Sequence, residues 1–191
     1  MSHPVVFDVE TQHIFREVGG DVKKLRISVA GIYDDTTDSF KTFMETELSG
    51  FFALLENASV IVGFNTNHFD LPVLSPYYVG NLMDLPGLDI MESVEHHLGH
   101  RLSLDDLVQE TLGAKKEGHG LLAVDFFREG KLEELKTYCL SDVRLTRDLY
   151  EFGKKNREIF FKNNAGNRQS IPVSWENPAS EAKNINLTLS L

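Results

Sequence analysis

The 191-residue sequence has a single cysteine, Cys139, and therefore cannot form an internal disulfide bond. A chain without disulfides fits a reducing compartment, and we expect a cytoplasmic protein. The sequence also has no uninterrupted apolar run of membrane-spanning length, and residues 1–4 enter a strand-like segment without the features of a signal peptide. These absences predict a protein with no membrane partner.

Positive charge is also scarce, because 19 Lys and Arg residues stand against 29 Asp and Glu residues, for a net charge of -10. The acidic excess lies in residues 1–100, which hold 15 acidic and 5 basic residues, whereas residues 101–191 hold 14 of each. Nucleic acids are usually bound through basic surfaces, so this composition argues against a simple nucleic-acid-binding protein. The exception is the segment 154–168, where Glu158 is the one acidic residue. Its basic residues are Lys154, Lys155, Arg157, Lys162 and Arg168.

The order of apolar patterns predicts one α/β domain over residues 1–163. Strand patterns cover residues 4–10, 24–33, 39–44, 59–64 and 85–91. Helical spacing covers residues 47–57, 69–79, 93–98, 103–112, 123–128 and about 132–161. This order predicts a mixed sheet with an antiparallel three-strand edge and helices on both faces.

The last part of the sequence, residues 164–191, is polar and rich in Asn and Ser. We interpret it as a loosely attached C-terminal tail. The apolar residues of the segment 171–175 make it the place where such a tail would dock.

Two carboxylates, Asp8 and Glu10, stand on the first apolar strand at positions two apart, and side chains with that spacing share a face. Paired carboxylates on a buried surface repel each other and lose hydration, so one of them would protonate without a counter-charge. A divalent cation would keep both ionised. The alternative is that the two acids mark the solvated end of the strand.

A second acidic signal, Asp70, stands at a predicted helix start, where free backbone N–H groups favour an anion. Asn65 and Phe69 precede it, just after an apolar strand. Ligands of open α/β sheets gather at such strand ends. The alternative is a plain helix-start aspartate.

A third acidic signal lies on the long helix, where Tyr138 and Asp142 are neighbours one turn apart. They interrupt an otherwise apolar face formed by Leu135, Leu145, Leu149 and Phe152. A buried unpaired carboxylate is costly, so a partner is expected. The partner could be a metal ion, Tyr138 itself, or an arginine of the same helix, Arg144 or Arg147.

These segments, FDVET, GFNTNHFDLPVL and YCLSDVRLTRDLY, resemble the three motifs of the DEDD 3′–5′ exonucleases. Tyr138, four residues before Asp142, is typical of the tyrosine subtype. The resemblance covers about residues 4–153 and is greatest to the proofreading exonuclease domain of family B DNA polymerases and its stand-alone bacterial relatives. It implies a ribonuclease H-like fold.

The resemblance also implies roles for the acidic residues. Asp8 would bridge two divalent cations, Mg²⁺ or Mn²⁺, and Glu10 and Asp142 would complete the first metal site. Asp70 would hold the second cation, and Tyr138 would orient the attacking water. Four carboxylates and two divalent cations form a neutral cluster suited to phosphodiester hydrolysis.

The implied substrate is the 3′ end of single-stranded DNA, cut to 5′-mononucleotides, with Thr11, Asn65 and Phe69 as contacts. A ribonuclease D-like RNA exonuclease and a catalytically silent docking module are the alternatives. A helicase or polymerase partner acting in trans stays open.

Three histidines in and just after a predicted helix, His96, His97 and His100, have spacings that suit zinc. The sequence offers no further ligand to complete a zinc site, and we interpret them as solvated.

Overall fold

The computed structural model of the chain describes residues 3–115 and 121–175, which include a five-stranded mixed sheet. The strands are β1 (Pro4–Thr11), β2 (Ile27–Asp34), β3 (Ser39–Met44), β4 (Val60–Gly63) and β5 (Gly87–Asp89). They lie in the order β3-β2-β1-β4-β5. Strand β2 is antiparallel to both β1 and β3, whereas β4 is parallel to both β1 and β5. The predicted mixed sheet and its antiparallel three-strand edge are confirmed.

Helices cover both faces of this sheet, as the sequence predicts. They are α1 (Leu48–Asn57), α2 (Asp70–Leu74), α3 (Ile90–Leu98), α4 (Leu104–Leu112), α5 (Leu121–Arg128) and α6 (Leu132–Asn156). Val5, Phe7 and Val9 of β1 belong to the same buried cluster as Phe51 of α1. Val6, on the opposite face, belongs to the cluster that includes residues of α6. None of the helices in the described part of the chain is long and apolar enough to span a bilayer.

The beginnings of α2 and α4 follow local chemistry. Ser103 accepts a hydrogen bond from the Asp106 N–H, and Asp106 accepts one from the Ser103 N–H, which together form a capping box. Pro72 falls within the first turn of α2, where its missing N–H costs little. The start of α4 is therefore set by its own residues, and the sequence at the start of α2 is compatible with a helix.

The predicted extension of the long helix to about residue 161 is wrong. Helix α6 ends at Asn156, and Arg157 adopts a left-handed conformation with φ of 60°. The next residues form a hairpin of β6 (Glu158–Lys162) and β7 (Arg168–Pro172). Ile159 and Phe161 are buried at the two-residue period of a strand, so alternation overrides the helical spacing there.

The loosely attached tail predicted from residue 164 is also wrong for residues 168–175. Trp175 is 4% exposed, stacks on Tyr150 and donates a hydrogen bond from Nε1 to the Ser93 Oγ at 3.0 Å. Gly153 of α6 lies directly under the indole ring. Docking at residues 171–175 is therefore confirmed. Residues 116–120, before α5, and residues 176–191 lie outside the described part of the chain.

We expect Trp175→Ala to lower the free energy of unfolding by about 3–5 kcal/mol, because it leaves a cavity against Tyr150 and Gly153. Urea denaturation followed by circular dichroism measures this loss. The control is Ser93→Ala, which removes the indole hydrogen bond alone and should cost roughly 1 kcal/mol. An unchanged unfolding midpoint for Trp175→Ala would show that the segment after β7 contributes nothing to the fold.

Candidate active site

A cluster of three carboxylates lies where β1 meets α6. Each of Asp8, Glu10 and Asp142 contributes one carboxylate oxygen to this cluster, and the three oxygens lie within 4.8 Å of one another. Asp8 and Glu10 share a face of β1 because they are two residues apart, and Asp142 comes from the middle of α6. Glu10 is 9% exposed and Asp142 is 4% exposed, so the repulsion between them is only weakly screened.

The spacing of these oxygens fits a divalent cation. Octahedral Mg²⁺ binds oxygen at about 2.0–2.1 Å, which places neighbouring ligand oxygens about 2.9 Å apart and opposite ones about 4.1 Å apart. Oxygens within 4.8 Å of one another can reach one such ion with small side-chain adjustments. The donor set also agrees, because carboxylate oxygens are the ligands that Mg²⁺ and Mn²⁺ prefer.

The fourth predicted carboxylate, Asp70, lies beside this cluster and not within the set of three. Its Oδ1 accepts a hydrogen bond of 3.0 Å from the backbone N–H of Val9, the residue between Asp8 and Glu10. Asp70 is the first residue of α2 and is 2% exposed. The structure therefore brings all four predicted acids to one end of β1, from three separate segments of the chain.

A buried aspartate that the sequence did not reveal, Asp89, holds the turn that leads to Asp70. Its Oδ1 accepts the Asn65 N–H at 2.8 Å, and its Oδ2 accepts the Asn67 N–H at 3.0 Å. Asp89 also caps α3 by accepting the N–H of Glu92. Its pattern predicts a strand over residues 85–91, whereas its bonds to Asn65 and Asn67 join positions 22 to 24 residues apart, which no local pattern shows.

Tyr138 and Asp142 both lie on the buried face of α6, as predicted. The Tyr138 ring is 8% exposed and meets Phe126 of α5 edge to face, with centroids 6.5 Å apart. The two arginines that the sequence offered as partners for Asp142 make other contacts. Arg147 binds Asp148 at 2.6 Å, and Arg144 lies 4.4 Å above the ring of Phe40.

Cys139 is fully buried beneath the carboxylates and acts as a packing residue. Its Sγ lies 3.6 Å from the carbonyl oxygen of Asp8. Burial raises the pKa of the Cys139 thiol well above its usual value, and the charges of Asp8 and Glu10 raise it further. The thiol therefore stays protonated and donates weakly to that carbonyl.

A cleft of about 370 Å³ opens above the cluster and contains Asp8, Glu10 and Asp142 in its lining. Its apolar walls come from Ile14, Phe15, Leu25, Phe69, Leu121 and Val124. A larger pocket of about 730 Å³ adjoins it, with Tyr138 among its lining residues. The acidic side chains converge in the smaller cleft.

The three predicted substrate contacts have different positions. Thr11 and Phe69 line the cleft, whereas Asn65 does not, and its side-chain oxygen is buried in the turn before α2. Phe15, which the sequence analysis missed, is 48% exposed at the cleft and packs on Phe69 with ring centroids 5.9 Å apart. The sequence did offer a signal for Phe15, because it is an aromatic residue within the mostly polar segment that follows β1.

Comparison with known protein families agrees with this geometry. Residues 5–152 match the model of the RNase H superfamily. The chain belongs to the RNase H superfamily. No curated protein matches the chain closely enough to be considered a relative.

Among solved structures, the fold is similar to the family B DNA polymerase from the hyperthermophilic archaeon Pyrobaculum calidifontis. The TM-score is 0.61 at 22% sequence identity, and the similar region covers 80% of this chain and 24% of the polymerase chain. At that identity the likeness shows the fold alone, and it agrees with the resemblance of the motifs to a proofreading exonuclease domain. RNase H superfamily membership and the acidic cluster together support a nuclease function and are compatible with divalent cations.

Proposed function

We propose that this RNase H superfamily protein is a metal-dependent 3′–5′ exonuclease that releases 5′-mononucleotides from single-stranded DNA. The observation that carries the proposal is the convergence of Asp8, Glu10 and Asp142 within 4.8 Å of one another, in a cleft with apolar walls. Asp70 is bound to the backbone beside this set. These are the four acids of the motifs whose spacing resembles that of the DEDD exonucleases.

In this proposal Asp8, Glu10 and Asp142 would hold one divalent cation, and Asp8 and Asp70 would hold a second. When bound, the divalent cations supply a nucleophilic water at neutral pH and neutralise charge on the phosphodiester. The Val9 N–H fixes the direction of the Asp70 carboxylate, so this ligand is oriented before any cation arrives.

Tyr138 is proposed to orient the attacking water through its hydroxyl. The ring is fixed between α6 and Phe126 of α5, which limits the positions that the hydroxyl can take. Tyr138 also lies one helical turn from Asp142, so both residues move together with α6. A fixed hydroxyl of this kind lowers the entropy cost of reaching the attacking geometry.

The walls of the cleft support a single-stranded substrate. The packed rings of Phe15 and Phe69 offer an aromatic surface beside the acids, and stacking on such a surface contributes roughly 1–3 kcal/mol per base. A base must be unpaired and unstacked from its neighbours to use this surface. Thr11 lies next to Glu10 and lines the same cleft, where its backbone can contact the terminal nucleotide.

The choice between DNA and RNA rests on the family resemblance, since the acidic cluster would act on the phosphodiester of either. End-labelled single-stranded DNA and RNA of the same sequence, digested in parallel with Mg²⁺ or Mn²⁺, provide the test. Faster digestion of DNA supports the proposal. Faster digestion of RNA would favour a ribonuclease D-like enzyme, and no digestion of either would contradict a nuclease function.

We expect strict dependence on a free 3′ end. A 3′-phosphate on the substrate should slow digestion at least about tenfold, because the terminal hydroxyl must fit beside Glu10 and Thr11 at the base of the cleft. A blocked 5′ end should have no effect. Gel analysis of the label released from each substrate measures both effects, and efficient cutting of a circular single strand would mean an endonuclease instead.

A further inference from the structure

The sheet and helix α6 approach each other closely at Gly31 of β2, beside the carboxylates. This glycine is the antiparallel partner of Asp8 in the pairing of β1 with β2. Paired residues direct their side chains to the same face of a sheet, so a side chain at position 31 would point toward α6, as Asp8 does. A Cβ at this position would lie 2.7 Å from the Cys139 Sγ, 3.1 Å from Val143 Cγ2 and 3.3 Å from Leu140 Cδ2.

These distances leave no room for a methyl group unless α6 or its side chains move. Carbon atoms in contact normally lie about 3.5–4.0 Å apart, so the Cβ would be roughly 1 Å too close to the sulfur. Cys139 is fully buried and cannot swing into solvent to relieve the overlap. The overlap would therefore push the helix away from the sheet.

The contact lies beside the place where the carboxylates of β1, Asp8 and Glu10, meet the carboxylate of α6, Asp142. Cys139 follows Tyr138 directly and precedes Asp142 by three residues, so all three are carried by the same turns of α6. On the sheet side, the sulfur also touches the carbonyl oxygen of Asp8 at 3.6 Å. Any outward movement of α6 at Cys139 separates Asp142 from Asp8 and Glu10.

We propose that the contact of Gly31 with Cys139 sets the distance between α6 and β1 that the metal cluster requires, which makes Gly31 a positioning residue. The inference rests on the proposed function, since it concerns the same carboxylates. Ligand distances in metal sites tolerate only about 0.2 Å, and a displacement of about 1 Å at a reacting centre can cost roughly 100-fold in rate.

The test is calorimetric titration of Mn²⁺ into the full chain without substrate, together with thermal melting. Gly31→Ala should raise the Mn²⁺ dissociation constant at least about tenfold. The double variant Gly31→Ala, Cys139→Ala should recover most of the affinity, because it removes the sulfur that the new methyl group meets. Cys139→Ala alone completes the cycle.

Gly153→Ala is the matched control. It adds the same methyl group on α6 itself, against the indole ring of Trp175, and so destabilises the fold at a place remote from the carboxylates. We expect it to lower the melting temperature and leave the Mn²⁺ dissociation constant unchanged. If Gly31→Ala yields too little folded protein, Cys139→Val enlarges the same contact from the helix side and carries the same expectation.

A Gly31→Ala variant that is destabilised but binds Mn²⁺ like the parent protein would overturn the proposal and show an ordinary packing contact. Failure of the double variant to regain affinity would also overturn it. If the parent protein binds Mn²⁺ but digests no nucleic acid, the proposed function fails while the spacing role of Gly31 stands. If the parent protein binds no Mn²⁺, both fail.

Discussion

Digestion of single-stranded DNA by this protein is expected to stop when divalent cations are removed with EDTA and to resume when Mg²⁺ or Mn²⁺ is added back. The reason is the position of Glu10 and Asp142, which are almost fully buried within 4.8 Å of each other and of Asp8. Divalent cations must neutralise these negative charges, because the carboxylates otherwise repel each other and repel the phosphodiester of the substrate.

The loss should be large. Cations at such a centre contribute several kcal/mol to the stabilisation of the transition state, which corresponds to roughly 1000-fold or more in rate. Single-turnover digestion across a titration of free Mg²⁺ measures the effect. A circular dichroism spectrum in EDTA serves as the control, because the apolar clusters on both faces of the sheet should keep the metal-free protein folded. Full activity after exhaustive chelation would exclude the proposed mechanism.

Asp142→Ala should abolish metal binding and turnover together, since it removes one of the three converging carboxylates. We expect the metal-free protein to melt at the same or a higher temperature, because a buried charge leaves the apolar face of α6. Calorimetric metal titration, single-turnover digestion and thermal melting measure the three effects.

Two variants of the same helix make this experiment specific. Asp148→Ala removes a partly exposed carboxylate that binds Arg147, and it should leave metal binding and rate near those of the parent protein. Tyr138→Phe removes only a hydroxyl, so metal affinity should persist while the rate falls by roughly one to three orders of magnitude. Wild-type turnover by Asp142→Ala, or loss of metal binding by Tyr138→Phe, would contradict the assigned roles.

The C-terminal hairpin shows where prediction from sequence was limited. Residues 158–162 continue the apolar spacing of α6 closely enough to read as helix, and β7 is exposed at four of its five positions. What makes them strands is their pairing with each other and the packing of β6 against α4. Strand pairing depends on two segments together, so the pattern within one of them does not reveal it.

The sequence by itself determined the mixed sheet, most helices and the four acids, because these depend on local signals. Alternation placed Asp8 and Glu10 on one face of a strand, and helical spacing placed Tyr138 and Asp142 on one buried face. Each of these patterns repeats within a few residues and can be recognised before any tertiary contact is known.

Only the tertiary structure decided how closely these faces approach. The roles of Gly31 and Asp89 depend on the register of β1 with β2 and on a turn that precedes α2, and neither residue stands out within its own segment. The same holds for Trp175, which is buried only because Gly153 leaves space for its ring. Close packing is a relation between surfaces from distant parts of the chain, so its geometry appears only when the fold brings those surfaces together.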